Sequence, residues 1–144
     1  MAKKAEFPAP WTLTGSGVII FFPAHRQHVL ASPFIAPADS ANFRGGAGAV
    51  MLVHYEKADC GPYDELLYIP GFFEHNNKNY MRITKIFVSS KESVEWGRRN
   101  WAIPKELADF DWQQGEREWH IDVKNTKTKA NIYSVSLSPR FFSY

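Results

Sequence analysis

Short apolar segments cut by glycine and proline fill this chain, and only one stretch carries a helical signature. "GVIIFFP" (Gly17 to Pro23) is a continuous apolar run between breakers, the mark of a buried strand. Ala49 to Glu56 reads as a strand after the glycines of "FRGGAG", which mark a tight bend where backbones touch. "CGPYDE" turns at its Gly-Pro pair, and "ELLYIPGFF" is a strand that meets a second break at Pro70-Gly71. In "YMRITKIFVSS", Met81, Ile83, Lys85 and Phe87 fall on one side and Arg82, Thr84, Ile86 and Val88 on the other, which predicts one further strand. The last third reads as two hairpins, the first turning at Gly115 and the second at the polar "KNTKTK". Trp119, Ile121 and Val123 line one face there, as do Tyr133, Val135 and Leu137 on the following strand. The period changes once: Ser89-Ser90-Lys91-Glu92 is a capping-box pattern and opens a helix over about Lys91 to Asn100, which Pro104 stops. The stretch from Ala24 to Ser40, with Pro33 and Pro37, is irregular or a short helix. Antiparallel strands in this number must close, stack or leave edges. The expected class is mainly β (α+β), a barrel or strongly curved sheet with one helix near residues 91–100.

At 144 residues the chain is expected to form a single domain over residues 1–144, long enough for a substantial core. A charged fraction of 22% argues against disorder, and a formal charge of +2 is too small to point to nucleic acid. Aromatic residues reach 15%, but most sit at strand-interior spacing, and the basic residues are dispersed apart from Arg98-Arg99. No nucleic-acid partner is expected. The single Cys60 excludes an intrachain disulfide framework and favours a reducing, cytoplasmic setting. The longest apolar run, Val18 to Ala24, falls well short of the ~20 residues of a spanning helix, so no membrane partner is expected. The opening "MAKKAEFPAP" has no apolar stretch after its lysines, so no signal peptide is expected. His25, His28, His54, His75 and His120 are scattered without ligand spacing, and "RGGAGA" matches no phosphate-binding pattern. Neither a metal nor a cofactor is expected, and a homo-oligomer stays open.

One lysine stands out. In "NWAIPKELADFDW" (Asn100 to Trp112), Lys105 follows Ile103-Pro104 and is surrounded by Trp101, Ile103, Leu107, Phe110 and Trp112. A Schiff base forms only from a neutral amine. A lysine with its ordinary pKa of ~10.4 is neutral in only about one molecule in 2,500 at pH 7. Making half of the molecules neutral there requires about 4–5 kcal/mol against the charged form. Burial against Trp101, Ile103 and Phe110 could supply much of that, and Arg98 or Arg99 the rest. The alternative is an ordinary surface lysine at a helix end.

"PWTLTGSGVIIF", "GPYDELLYIPG" (Gly61 to Gly71) and "ITKIFVSSKESVEWGRRNWAIPKELADF" (Ile83 to Phe110) together resemble the acetoacetate decarboxylase-like superfamily, from about Pro10 to Leu137. The most specific piece is "GRRNWAIPKELA": in the decarboxylases a G-R-E-x-x-x-x-P-K-K run carries the Schiff-base lysine after the proline, and Gly97, Arg98, Pro104 and Lys105 match it. The resemblance implies an antiparallel, cone-shaped β-barrel and imine chemistry on a keto acid or related carbonyl compound, with no cofactor. It implies that Lys105 is the nucleophile and that Glu65, in "YDE", manages protons or orients the substrate. Tyr63, Arg98 and Trp101 are the substrate-binding candidates.

Three departures accompany it. Glu106 stands where the decarboxylases have a second lysine, and a carboxylate facing Lys105 would raise its pKa, although an extended segment turns neighbours to opposite sides. An arginine that the decarboxylases carry near the first strand has no match in "TGSGVI", which brings a neutral carbonyl or a larger keto acid level with acetoacetate as substrate. The chain stops at "VSLSPRFFSY", just after an expected strand, so an incomplete barrel lacking C-terminal strands is expected. Two rivals to a carbon–carbon lyase follow: a non-catalytic module for an apolar carbonyl or lipid-like compound, and an inactive fragment.

Overall fold

The computed structural model describes residues 5–138. The chain divides between Glu106 and Leu107 into two compact units. In chain order the first holds β1 (Thr14–Pro23), helix α1 (Arg26–Leu30), a 3-10 turn (Pro37–Asn42), β2 (Phe43–Gly45), β3 (Ala47–Lys57), β4 (Tyr63–Ile69), β5 (Phe72–His75), β6 (Lys78–Met81), β7 (Lys85–Val88) and helix α2 (Lys91–Trp101). Strand β8 (Lys105–Gln114) starts on its last two residues, and β9 (Trp119–Asn125) and β10 (Asn131–Leu137) complete the second unit. The architecture is mainly β, as the breaker pattern implies.

In the first unit β1, β3, β4 and β7 are neighbours in that order, all antiparallel. Leu52 faces Leu66 across β3 and β4, and Leu66 faces Phe87 across β4 and β7. Leu52, Leu66 and Phe87 are buried on one face of the sheet, and Ile86 and Val88 are buried on the other, beside Leu67 and Glu65. Strands β2, β5 and β6 make a separate sheet. Phe43 and Phe73 pair across it and pack with Ala24, Val29 and Ile35 in a second cluster. The chain passes between the two sheets at Gly45 and Gly46, whose φ angles of 80° and 93° suit glycine; a Cβ on Gly46 would meet the Phe72 ring at 2.7 Å.

The run from Tyr80 to Ser90 differs from its sequence reading. It is two strands, β6 and β7, in different sheets. Arg82 pairs with Asp39 and lies over the Phe73 ring, and the Thr84 amide bonds the Tyr68 carbonyl, so tertiary contacts break an alternation that runs on in the sequence. The helix is where the pattern puts it, but its N-cap is Ser90: the Ser90 hydroxyl accepts from the Ser93 amide at 3.2 Å. Ser89 instead closes onto β4, its hydroxyl accepting from the Asp64 amide at 2.8 Å.

In the second unit the two hairpins form as the spacing predicts. Residues of β8 pair with β9 and β9 pairs with β10, and the Gly115 amide donates to the Glu118 carbonyl in the first turn. Ile121 and Val123 alternate inward and are fully buried. Among the described residues no helix is long and apolar enough to cross a membrane.

Candidate active site

Residues of the first unit, from two strands, a helix and the start of β8, aim side chains at one point. Strand β4 presents Tyr63, Glu65 and Leu67 two residues apart, on one face. Strand β3 sets Tyr55 directly opposite Tyr63, with ring centroids 4.9 Å apart. Helix α2 turns Ser93 and Gly97, four residues apart, to a common side. Strand β8 begins with Lys105.

The approach to Lys105 is built by the end of α2. Ala102 takes a left-handed conformation (φ 54°), and its amide closes the helix on the Arg98 carbonyl at 3.0 Å. Pro104 then prevents helix continuation. The Lys105 amide bonds the Ile103 carbonyl at 2.8 Å, and its carbonyl accepts from Arg98 Nε at 3.0 Å. The main chain at the lysine is thus held on both sides before the side chain is considered.

That side chain is buried, at 4% exposure. Nζ donates to Glu65 Oε2 at 3.0 Å and to Ser93 Oγ at 3.1 Å, with a longer contact to the Tyr63 hydroxyl at 3.4 Å. It lies 5.0 Å from the Tyr63 ring centroid and 5.8 Å from that of Trp11. Glu65 is 5% exposed, so this is an ion pair out of water. Its stem fits because Gly97 has no side chain: a Cβ there would sit 2.7 Å from Lys105 Cδ and 2.9 Å from Cε.

The amine opens on a cavity of about 280 Å³. Besides Lys105, Glu65, Tyr55 and Tyr63, its walls are apolar: Trp11, Leu13, Leu67, Ile83, Ile86, Trp101 and Ile103. Trp11 is anchored by its Nε1–H to the Phe7 carbonyl at 2.8 Å, which also accepts from Asn100 of α2 at 3.0 Å. Trp11 and Trp101 meet edge to face with centroids 4.9 Å apart.

Both tyrosines keep their protons at neutral pH. Burial, then the charge of Glu65 and a hydrogen bond to it, push Tyr55 up to about 12. Burial and the Glu65 charge push Tyr63 up as well, against a bond with Ser93 that lowers it. Burial raises the Cys60 thiol, which packs beneath Tyr63 and Val88. The cavity therefore holds two neutral phenol donors beside one amine and one carboxyl group.

Of the residues singled out from sequence, Lys105, Glu65, Tyr63 and Trp101 meet at this cavity. Arg98 does not line it and acts through the Lys105 main chain. Arg99 turns to Glu95 and the Trp96 ring. Glu106 points away from the amine and binds Lys85 Nζ at 2.5 Å. Tyr55, Ser93, Trp11 and Gly97 were not singled out as site residues. The signal for two of them is the Ser93–Gly97–Trp101 spacing, one helix face that is small where a neighbour must enter.

No family model matches the sequence, and no curated protein matches it. Solved structures do. An acetoacetate decarboxylase from Legionella pneumophila superposes with a TM-score of 0.70 at 15% identity, over 91% of this chain and 50% of that one. A second acetoacetate decarboxylase structure gives 0.64 at 11% identity, over 83% and 47%. The enduracididine biosynthesis enzyme MppR, complexed with the condensation product of pyruvate and imidazole 4-carboxaldehyde, gives 0.65 at 14% identity, over 92% and 57%. The chain has the acetoacetate decarboxylase-like fold. It spans about half the length of the structures it matches.

Proposed function

We propose that this chain is a Schiff-base-forming lyase of the acetoacetate decarboxylase type, acting on a keto acid or related carbonyl compound through Lys105. The observation that carries the reading is the buried Lys105 amine, 3.0 Å from the Glu65 carboxylate at the end of an apolar cavity. Attack requires an unprotonated nitrogen, and the 3.0 Å contact with Glu65 supports that carboxylate as the proton acceptor. The amine adds to the carbonyl carbon, and loss of water leaves an iminium ion. That ion draws in the electron pair of the neighbouring carbon–carbon bond as it breaks. Tyr63 and Ser93 hold Nζ from other sides and fix its position at the cavity wall. The neutral Tyr63 hydroxyl accepts from Lys105 and keeps its own proton as a donor for the carbonyl oxygen as it takes up charge, while Tyr55 donates to Glu65.

Reductive trapping tests this. Borohydride with acetoacetate or pyruvate is expected to fix a secondary amine on the peptide bearing Lys105, and the Lys105→Ala variant to lose it. Label on other lysines alone, at the rate of free lysine, overturns the reading.

One observation favours a second reading, a non-catalytic binding module. Three partners already surround Nζ, as they would a permanent ammonium that only braces the wall. An apolar carbonyl ligand that binds the wild type and Lys105→Ala equally, without turnover, would select this reading.

A further inference from the structure

Resting on the Schiff-base reading, we infer that this cavity takes an uncharged, apolar ketone or aldehyde in preference to a keto acid. The argument is one of charge. Among the described lining residues, Lys105 is the single cation and Glu65 the single anion, and they neutralise each other at 3.0 Å. A substrate carboxylate would be a third charge in the cavity. It would lie near Glu65 and have no cation of its own.

The neighbouring cations are engaged elsewhere. Arg98 gives Nε to the Lys105 carbonyl, Lys85 binds Glu106, Arg82 binds Asp39, and Arg99 faces Glu95. At the amine end, where Lys105 and Glu65 are out of water, an unpaired carboxylate is heavily penalised. Tyr63 offers a neutral hydroxyl, which suits a carbonyl oxygen and does not balance a carboxylate, and the Tyr55 proton is given to Glu65. The remaining wall, including Trp11, Leu67 and Ile86, rewards an alkyl or aryl group.

The chemistry balances without a carboxylate to lose. Amine, carbonyl and one proton give an iminium ion and one water. The iminium then releases a proton from its α-carbon to Glu65, and the C–H electron pair becomes the carbon–carbon double bond of a neutral enamine. Return of the proton to carbon reverses this step, and an added aldehyde would instead form a new carbon–carbon bond there.

Matched pairs test the inference on the full chain: 2-butanone against 2-oxobutanoate, and phenylacetone against phenylpyruvate, each differing by methyl for carboxylate. Cyanoborohydride supplies the hydride, and adduct on the Lys105 peptide is read by mass. Each rate is divided by that of Nα-acetyl-lysine with the same compound, which removes intrinsic electrophilicity. After this correction the neutral ketone of each pair is expected to be favoured by about a hundredfold or more, the lower end of what an unpaired buried charge costs. Keto acids trapped on Lys105 as well as or better than the ketones overturn the inference and leave the Schiff-base reading standing. Absence of adduct on Lys105 with all four, while acetyl-lysine is trapped, removes both.

Discussion

A Cβ on Gly97 would lie 2.7 Å from Cδ of Lys105, so the helix and the nucleophile candidate fit each other only because position 97 is bare. Gly97 sits inside α2 at an ordinary helical position. Helix propensity alone predicts that Gly97→Ala stabilises by about 1 kcal/mol. The contact with the lysine stem predicts the reverse, an overpacking cost of about 1–3 kcal/mol. The variant is expected to be less stable in urea than the wild type. Its Lys105 trapping rate should fall by about ten- to hundredfold, the penalty for a reacting atom misplaced by an ångström. A more stable protein with unchanged trapping would mean that the stem has room to move.

The buried pair makes a second, energetic prediction. Lys105→Met leaves the Glu65 carboxylate buried among Tyr55, Tyr63 and Ser93 without its cation. Breaking a buried pair from one side costs about 3–5 kcal/mol. Replacing both partners, as in Lys105→Met with Glu65→Leu, is expected to cost less than the sum of the single changes by at least about 1 kcal/mol, a coupling that urea melts of the four proteins measure. Additive losses would show that the two groups do not interact in solution.

Alkaline titration supplies a third prediction. Tyr55 has its pKa pushed up to about 12 from 10.0, by burial first and then by Glu65. Tyr63 is raised in the same direction and for the same leading reason. Above pH 10 the unfolded chain gives up these phenol protons before the folded one does. The stability the two groups contribute is therefore complete below pH 10 and is lost as pH climbs through the folded values. Tyrosinate absorbance is expected to show a late-titrating group of phenols in the folded protein, Tyr55 and Tyr63 together with Tyr68 and Tyr133, which burial also raises. Tyr55→Phe should remove one of them and flatten the decline in melting temperature between pH 10 and 12. A decline of unchanged slope in Tyr55→Phe would place its cause elsewhere.

These residues also show what the sequence could disclose. Lys105 was legible because Pro104 ends a capped helix and sets a lysine among aromatic residues. Glu65 and Tyr63 were legible through resemblance alone, because the Gly-Pro pair makes Tyr63 read as part of a turn, whereas β4 already starts there. Tyr55 was not, because its place beside Tyr63 depends on the β3–β4 register, and register is a pairing between distant segments. Ser93 was missed for a local reason. It looks like a polar residue in a first helical turn, and that its hydroxyl meets the Lys105 amine is set by packing. The split between β6 and β7 was hidden because apolar alternation runs straight across it, while the Arg82–Asp39 contact that anchors it is set by tertiary structure. The β-rich class needed none of this, since it follows from the breakers alone.

Glu106 carries the last prediction. By sequence it stands next to the amine, and a carboxylate facing Lys105 would oppose deprotonation. In the structure it is turned to the other side of β8 and held by Lys85. The Glu106 side chain is 44% exposed, so the pair with Lys85 contributes little to stability, about 0–1 kcal/mol. Glu106→Gln should therefore leave the Lys105 trapping rate within about threefold of wild type, because strand neighbours point to opposite faces. Glu106→Lys restores the Lys-Lys dipeptide of the decarboxylases and sets two ammonium groups together at Lys85. It should cost slight stability at low salt and still leave trapping little changed. The measurement is the pH dependence of trapping across the three proteins. A pH midpoint that moves by a full unit in Glu106→Gln would mean that the carboxylate reaches the amine in solution, and that the second lysine of the decarboxylases cannot be exchanged here without consequence for the site.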